Sequence, residues 1–294
     1  MIAILRQELR DARRNKWLAG YTVALAVLGL VAAWAGLRGS EGMALVTFGR
    51  TSATLTNLCL FLAPLVSLVL GASAIAGERD RGTLEYLLAQ PLTRTELLAG
   101  KYLGLLAALA AATIAGFLPA GAAIAARAGA GTLASFLVFP LIAILLAAAM
   151  LALGFLISVH SDTGVAAQGL AVLVWFALVL LYDLVLLGVL VGAGVQPAAL
   201  AALLMANPVD AARVLVVLSL EPDLYLLGPA GAWLLGALST AGTAALLIGS
   251  LVGWALIALG AALWGFRSPR ATGSGSGSRA FSVKKRMMVE SKVI

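Results

Sequence analysis

Leu224–Phe266 is 43 residues long and contains no Asp, Glu, Lys or Arg. A water-soluble domain carries charge on about 25% of its residues. This chain of 294 residues carries it on 11% and is 62% hydrophobic, with a mean hydropathy of +1.04. Lipid is therefore its main solvent. A bilayer offers no water to backbone N–H and C=O groups, so apolar runs of this kind fold as helices. A crossing takes ~20 apolar residues, which allows about six crossings with short loops. A buried soluble core is excluded.

The apolar runs predict spans at 17–37, 55–76, 102–126, 133–159, 165–191 and 240–266. Arg38–Thr54 reads as a polar loop and His160–Gly164 as a tight polar turn. Gln196–Leu220 holds Pro197, Asn207, Pro208, Asp210 and Arg213 and is not expected to cross. Two spans fit the last apolar stretch by length, but they place Arg267 and Arg270 outside, against the positive-inside rule. One final span is expected, preceded by an outer apolar helix or re-entrant piece around Gly228–Leu238. The segments this topology places inside (1–16, 77–101, 160–164, 267–272) hold 11 Lys/Arg, against four outside. Both termini are thus expected in the cytoplasm.

The net charge of +7 does not point to nucleic acid, because the basic residues cluster at the ends of apolar runs and no stripe of stacking aromatics accompanies them. MIAILRQELRDARRNKW lacks a cleavage-site pattern and is not a signal peptide. Ile2, Leu5, Leu9 and Ala12 share a helical face. The segment is either an amphipathic helix lying in the lipid interface or a plain basic flank. Cys59, the single cysteine, reads as a packing residue. Gly100/Gly104, Gly188/Gly192 and Gly249/Gly253 have the spacing of close helix contacts. After 272 the composition changes abruptly to GSGSGS and a polar tail; 273–294 read as a flexible linker followed by either an engineered or a native disordered tail.

Residues 77–101, GERDRGTLEYLLAQPLTRTELLAGK, hold eight charges, four of each sign, between two apolar runs. Glu78, Arg79, Asp80 and Arg81 precede Gly82-Thr83. Leu84, Tyr86, Leu87 and Leu88 then make a short helix with a strongly apolar face, which Pro91 cannot continue. Thr93-Arg94-Thr95-Glu96 is a capping box that starts a second helix, with Lys101 at the lipid boundary. The first helix is too short to be stable alone, so Leu84, Leu87 and Leu88 need a surface: the membrane interface or a cytoplasmic protein. The balanced charges favour the protein.

Gly77-Glu78, Gly82-Thr83-Leu84-Glu85, Pro91-Leu92-Thr93-Arg94 and Leu98-Ala99-Gly100-Lys101 together resemble the coupling segment of type-2 ABC transporter permeases. The resemblance is greatest to permeases of the ABC system that matures nitrous oxide reductase. It extends to Glu8-Leu9-Arg10-Asp11, Arg14-Asn15-Lys16-Trp17, Tyr182-Asp183-Leu184 and Asn207-Pro208-Val209-Asp210 with Arg213. It implies an all-α, six-span permease of a bacterial or archaeal cytoplasmic (inner) membrane, with an N-terminal interfacial helix and a cytoplasmic coupling helix. The permease would act as a homodimer in membrane lipid. Glu78, Arg81, Gly82, Thr83, Leu84, Glu85, Leu87, Leu88, Pro91 and Arg94 would meet a separate ATPase subunit. The resemblance further implies export of a sulfur species or energised assembly of the enzyme's copper–sulfur cluster, with a periplasmic β-helical protein and a copper chaperone as partners.

The residues agree with a division of labour. The chain has no G-x-x-x-x-G-K-[ST] phosphate loop, so no cofactor is expected in it, and ATP and Mg are expected on the partner ATPase. One His, one Cys and scattered Met43, Met150 and Met205 give no metal-ligand spacing. His160 beside Asp162 reads as a solvated corner, not a catalytic base. Asp183 in the fifth span either faces a central path, protonated or paired with Arg213 or Arg127, or makes a structural bond. Asn57 and Gln168 pose the same choice. Asn207, Pro208, Asp210 and Arg213 read as a short capped helix on the outer face, either a gate or partner contact or a plain surface helix. Two rival functions remain open: an exporter of a lipid, drug or ion, and a mechanical transmitter that passes no solute.

Overall fold

Twelve helical elements follow a short helical turn at 8–12 in the computed structural model, which describes residues 8–12, 14–38, 44–89, 93–128, 136–192, 196–220 and 228–267. They are α1 (Lys16–Arg38), α2 (Ala44–Asp80), α3 (Thr83–Leu88), α4 (Arg94–Ala128), α5 (Val138–His160), α6 (Gly164–Phe176), a π-helical turn (Ala177–Leu181), α7 (Tyr182–Gly192), α8 (Pro197–Ala206), α9 (Pro208–Leu220), α10 (Gly228–Ala237) and α11 (Thr240–Arg267). Among the described residues there is no strand. The protein is an all-α, multi-pass membrane protein.

Five helices are long and apolar enough to cross: Asn57–Asp80, Arg94–Ala123, Val138–His160, Gly164–Gly188 and Thr240–Arg267. Lys16–Val31 is a shorter apolar stretch at the place of the expected first span. The helix α2 begins at Ala44, so residues 44–54 are helical and not the expected loop. Only 39–43 of that loop lie outside the described residues, as do Ile2, Leu5, Pro91 and the tail at 273–294.

A second correction concerns 196–220. The helices α8 and α9 meet at a bend of 111°, a broken span or re-entrant piece, and the bend sinks into the bundle. Asn207 and Asp210 are buried, so this is no outer surface helix. α10, where an outer piece was expected, packs against α8.

Lipid tails are as apolar as leucine, so helices associate in a membrane through close packing and not through escape from water. The closest crossing is α2 on α5. A Cβ at Gly71 would lie 2.6 Å from the Leu151 carbonyl oxygen, and one at Gly154 would lie 2.6 Å from that of Leu68. At Gly249 and Gly253 of one expected pair, and at Gly188 of another, a Cβ would meet nothing within 4 Å. Polar side chains lock neighbouring spans. Tyr21 of α1 bonds Thr113 of α4 at 3.0 Å and Cys59 of α2 at 3.5 Å. Trp175 of α6 donates to the Phe61 carbonyl of α2 at 3.1 Å.

Candidate functional site

The charged residues gather at one end of the bundle. Gly82 has φ 69°, a left-handed conformation open to glycine without a Cβ penalty. It turns the chain from α2 into α3, and Thr83 Oγ1 donates to the Glu78 carbonyl at 3.2 Å. Leu84 is buried, and Leu87 and Leu88 pack against the same core. The chain itself thus covers much of the apolar face that was expected to need a partner. What α3 and the turn before it expose is Arg81, Thr83, Glu85 and Tyr86, the last 73% exposed, so Tyr86 does not share the apolar face it was expected to share. The expected capping box forms: the Thr93 N–H donates to Glu96 Oε2 at 3.0 Å, and the Glu96 N–H donates to Thr93 Oγ1 at 3.2 Å.

Three sets of bonds join this corner to the ends of the spans. The Asp80 carboxylate accepts from the Gly164 N–H at 2.6 Å, while Arg79 donates to the carbonyls of Ser161 and Val159. Both hold the turn between α5 and α6. Arg94 donates to the Phe266 carbonyl at 3.1 Å and so caps α11. Lys101 is 6% exposed and lies 2.5 Å from Glu8 Oε1 and 2.7 Å from Glu78 Oε1, tying the N-terminal turn, α2 and α4 together. Lys101 is therefore interior, not at the lipid boundary. Glu78 and Arg94 bond to the chain's own groups, Glu78 largely buried and Arg94 partly so. A polar cavity of about 600 Å³ opens beside this cluster, lined among others by Glu8, Asp11, Ser73, Glu78, Arg81 and Gln168. His160 bonds the Leu156 carbonyl at 2.9 Å and is exposed, a corner residue as expected.

A second network joins Asp183 to the group Asn207, Asp210 and Arg213, through the Arg213 pairing that the sequence offered as one of its choices. Arg213 Nη1 lies 3.0 Å from Asp183 Oδ1 and 2.9 Å from Asp210 Oδ1. Asn207 Nδ2 donates to Asp210 Oδ2 at 2.9 Å and to the Leu178 carbonyl at 2.7 Å, and its Oδ1 accepts from the Val209 N–H at 3.0 Å. Leu178 lies in the π turn, whose extra residue loosens the carbonyl ladder. Asn207 thus ties that turn to the start of α9. Asp210 is 1% exposed, whereas Asp183 and Arg213 are 40% and 37% exposed. Asn57 is exposed on α2 and takes no part in this network, and Gln168 lies at the charged end instead.

The sequence signalled neither Glu8–Lys101 nor Asp80–Gly164 as pairs. Each joins residues more than eighty positions apart, and a lone charge at a helix end looks the same whether it faces solvent or a partner.

Over residues 2–268 the chain matches the model of the ABC-2 family transporter protein family. It is 39% identical over 218 residues to the "Probable ABC transporter permease protein NosY" of Pseudomonas aeruginosa, which covers 72% of this chain and 79% of that protein. To the protein of the same name from Stutzerimonas stutzeri it is 38% identical over equal shares of both chains. A helical bundle without strands among its described residues, a short helix between its second and third long helices, and this match over nearly the whole chain make it a member of the ABC-2 family of transporter permeases.

Proposed function

We propose that this permease couples ATP hydrolysis by a separate ATPase to events across the membrane. Those events are export of a sulfur species or energised assembly of the copper–sulfur cluster of nitrous oxide reductase. The observation that carries the coupling is the setting of α3: Thr83 and the packed Leu84, Leu87 and Leu88 seat it on the end of α2, and Asp80, Arg94 and Lys101 beside it join the ends of α2 and α4 to the α5–α6 turn and α11. A push on the exposed Arg81, Glu85 and Tyr86 reaches α2 through the Thr83–Glu78 bond and the packing of Leu84, and from there the α5–α6 turn, α4 and α11 through Asp80, Lys101 and Arg94. ATP and Mg belong to the ATPase, and the charged end faces the cytoplasm with it. The ligand, if one crosses, passes along the interface of two protomers. The assignment to nitrous oxide reductase maturation rests on the residue resemblances at 8–17, 182–184 and 207–213 and on the names of the two relatives. It brings with it a periplasmic β-helical protein and a copper chaperone as partners.

One observation favours the transmitter reading over solute passage. The polar atoms of Asn207 and Asp210 are buried and bonded to one another and to the π turn, so they brace two elements and do not line a path.

The coupling role is tested with the triple variant Arg81→Glu, Glu85→Arg, Tyr86→Ala, since these side chains are exposed and their replacement leaves the interior bonds intact. Co-purification with the ATPase is expected to fall to background while cysteine-accessibility mapping shows unchanged topology. Undiminished ATPase capture would overturn the assignment of this face.

A further inference from the structure

A groove of about 860 Å³ separates the N-terminal turn and α1 from α4. Its wall on α4 is Ala108, Ala111, Ala112 and Ala115, a run at helical spacing in which no side chain is large enough to fill the gap. The facing wall is Leu18, Ala19, Thr22 and Val23, with Leu9 and Ala12 at one end. The hydroxyl of Thr22 is bonded back to the Leu18 carbonyl at 2.9 Å, so it offers the groove little polarity. Arg10 lines the same end. Arg14 and Lys16 are exposed in the turn that joins the 8–12 segment to α1, and neither they nor Arg10 has an ion pair among the described residues. The acidic Glu8 and Asp11 of this turn line the separate polar cavity on its other side.

We infer that this groove binds one anionic phospholipid, with an acyl chain along the alanine wall and the phosphate at Arg10. Depth supports a lipid of the leaflet at the charged end. Val23 lies seven residues beyond Lys16, about 10 Å along the helix at 1.5 Å per residue. That is inside the ~15 Å of one leaflet's hydrocarbon. Charge complementarity sets the class: Arg10 at the mouth, with the exposed Arg14 and Lys16 four and six residues on, matches a phosphoglycerol headgroup, and basic pockets between spans are a known form of lipid recognition. A choline headgroup brings its own cation and loses that match. The lipid would wedge the N-terminal turn, which Glu8 ties to Lys101 and hence to the coupling corner. The inference needs only the groove and its basic mouth, so it stands or falls apart from the coupling reading.

The test is native mass spectrometry of the full chain, with its ATPase where the two co-purify, released from nanodiscs of equal phosphatidylglycerol and phosphatidylcholine. Retained phosphatidylglycerol is expected to exceed phosphatidylcholine about tenfold, the scale that basic residues near a membrane surface support. The variant Arg10→Gln, Arg14→Gln, Lys16→Gln should bring the ratio close to one. The variant Ala111→Leu, Ala115→Leu, at two exposed positions, should remove the tightly retained lipid whatever its headgroup. Equal retention of both lipids by the unmodified chain overturns the inference. So does a ratio that neither variant changes. A third overturning result is a groove covered by a second copy: no retained lipid, and a dimer mass that the leucine variant alone reduces to monomer.

Discussion

Lys101 shows how much one side chain holds at the charged end. Its ammonium sits between Glu8 and Glu78, and all three side chains are largely buried. Lys101→Met strands two carboxylates away from solvent. Breaking a buried ion pair by removing one partner costs about 3–5 kcal/mol. The expected outcome is a lower melting temperature and a broadened peak in fluorescence-detected size exclusion. Adding Glu8→Gln and Glu78→Gln to Lys101→Met should recover much of the loss, because the stranded charges go with the lysine. If Lys101→Met melts like the unmodified chain, the cluster is not structural. The sequence could not announce this role. Lys101 ends a charged segment and begins an apolar run, the mark of a boundary lysine, and Glu8 is 93 positions away. Cys59 is the opposite case, since an apolar neighbourhood is enough to read a small buried packing residue, and it is one.

Among elements, those set by neighbouring residues were readable and those set by distant partners were not. The capping box needs only Thr93 and Glu96, and the helix it starts was legible. In the π turn at Ala177–Leu181 the Leu178 carbonyl accepts from Asn207, which reaches it from the α8–α9 bend, and nothing in an apolar run marks such a partner. Asn207→Ala leaves that carbonyl and the Asp210 carboxylate each short of a donor. A buried group left unsatisfied costs about 1–3 kcal/mol, so a drop in melting temperature is expected, with slower exchange lost at the π-turn amides in hydrogen-exchange mass spectrometry. Unaltered exchange there would show that Asn207 does not hold the turn. The contact of α2 with α5 was hidden for the same reason. Gly71 and Gly154 lie on different helices, while the visible glycine pairs lie on one. Gly154→Ala puts a Cβ 2.6 Å from a backbone carbonyl, which cannot move aside as a flexible side chain would. Overpacking of this kind costs about 1–3 kcal/mol, and the same melting assay should show it, with Gly253→Ala as a neutral control.

At the scale of the whole molecule, the described segments placed inside by charge counting do converge. Glu8, Asp80, Arg94, Lys101, the turn at 160–164 and the end of α11 bond to one another at one end. That was legible because lipid forces short, sorted loops. What the span pattern could not reveal is which surface meets another protomer. The long helix of α6, the π turn and α7 exposes Leu173, Leu184, Val185 and Leu187, and the half-exposed Asp183–Arg213 pair lies along it. Aliphatic side chains are at ease in lipid, but a charge in mid-membrane costs ~2.5–3.5 kcal/mol on insertion scales. Half-exposed charges on a lipid-facing span are therefore better housed against protein or trapped water, and the proposed homodimer supplies such a neighbour if this face is its seam. With Cys59→Ser removing the native thiol, Leu187→Cys should cross-link protomers in membranes under mild oxidation, while Val23→Cys, exposed on α1, should not. Cross-linking from Val23→Cys and none from Leu187→Cys would move the seam to the other side of the bundle and leave the Asp183–Arg213 pair facing lipid.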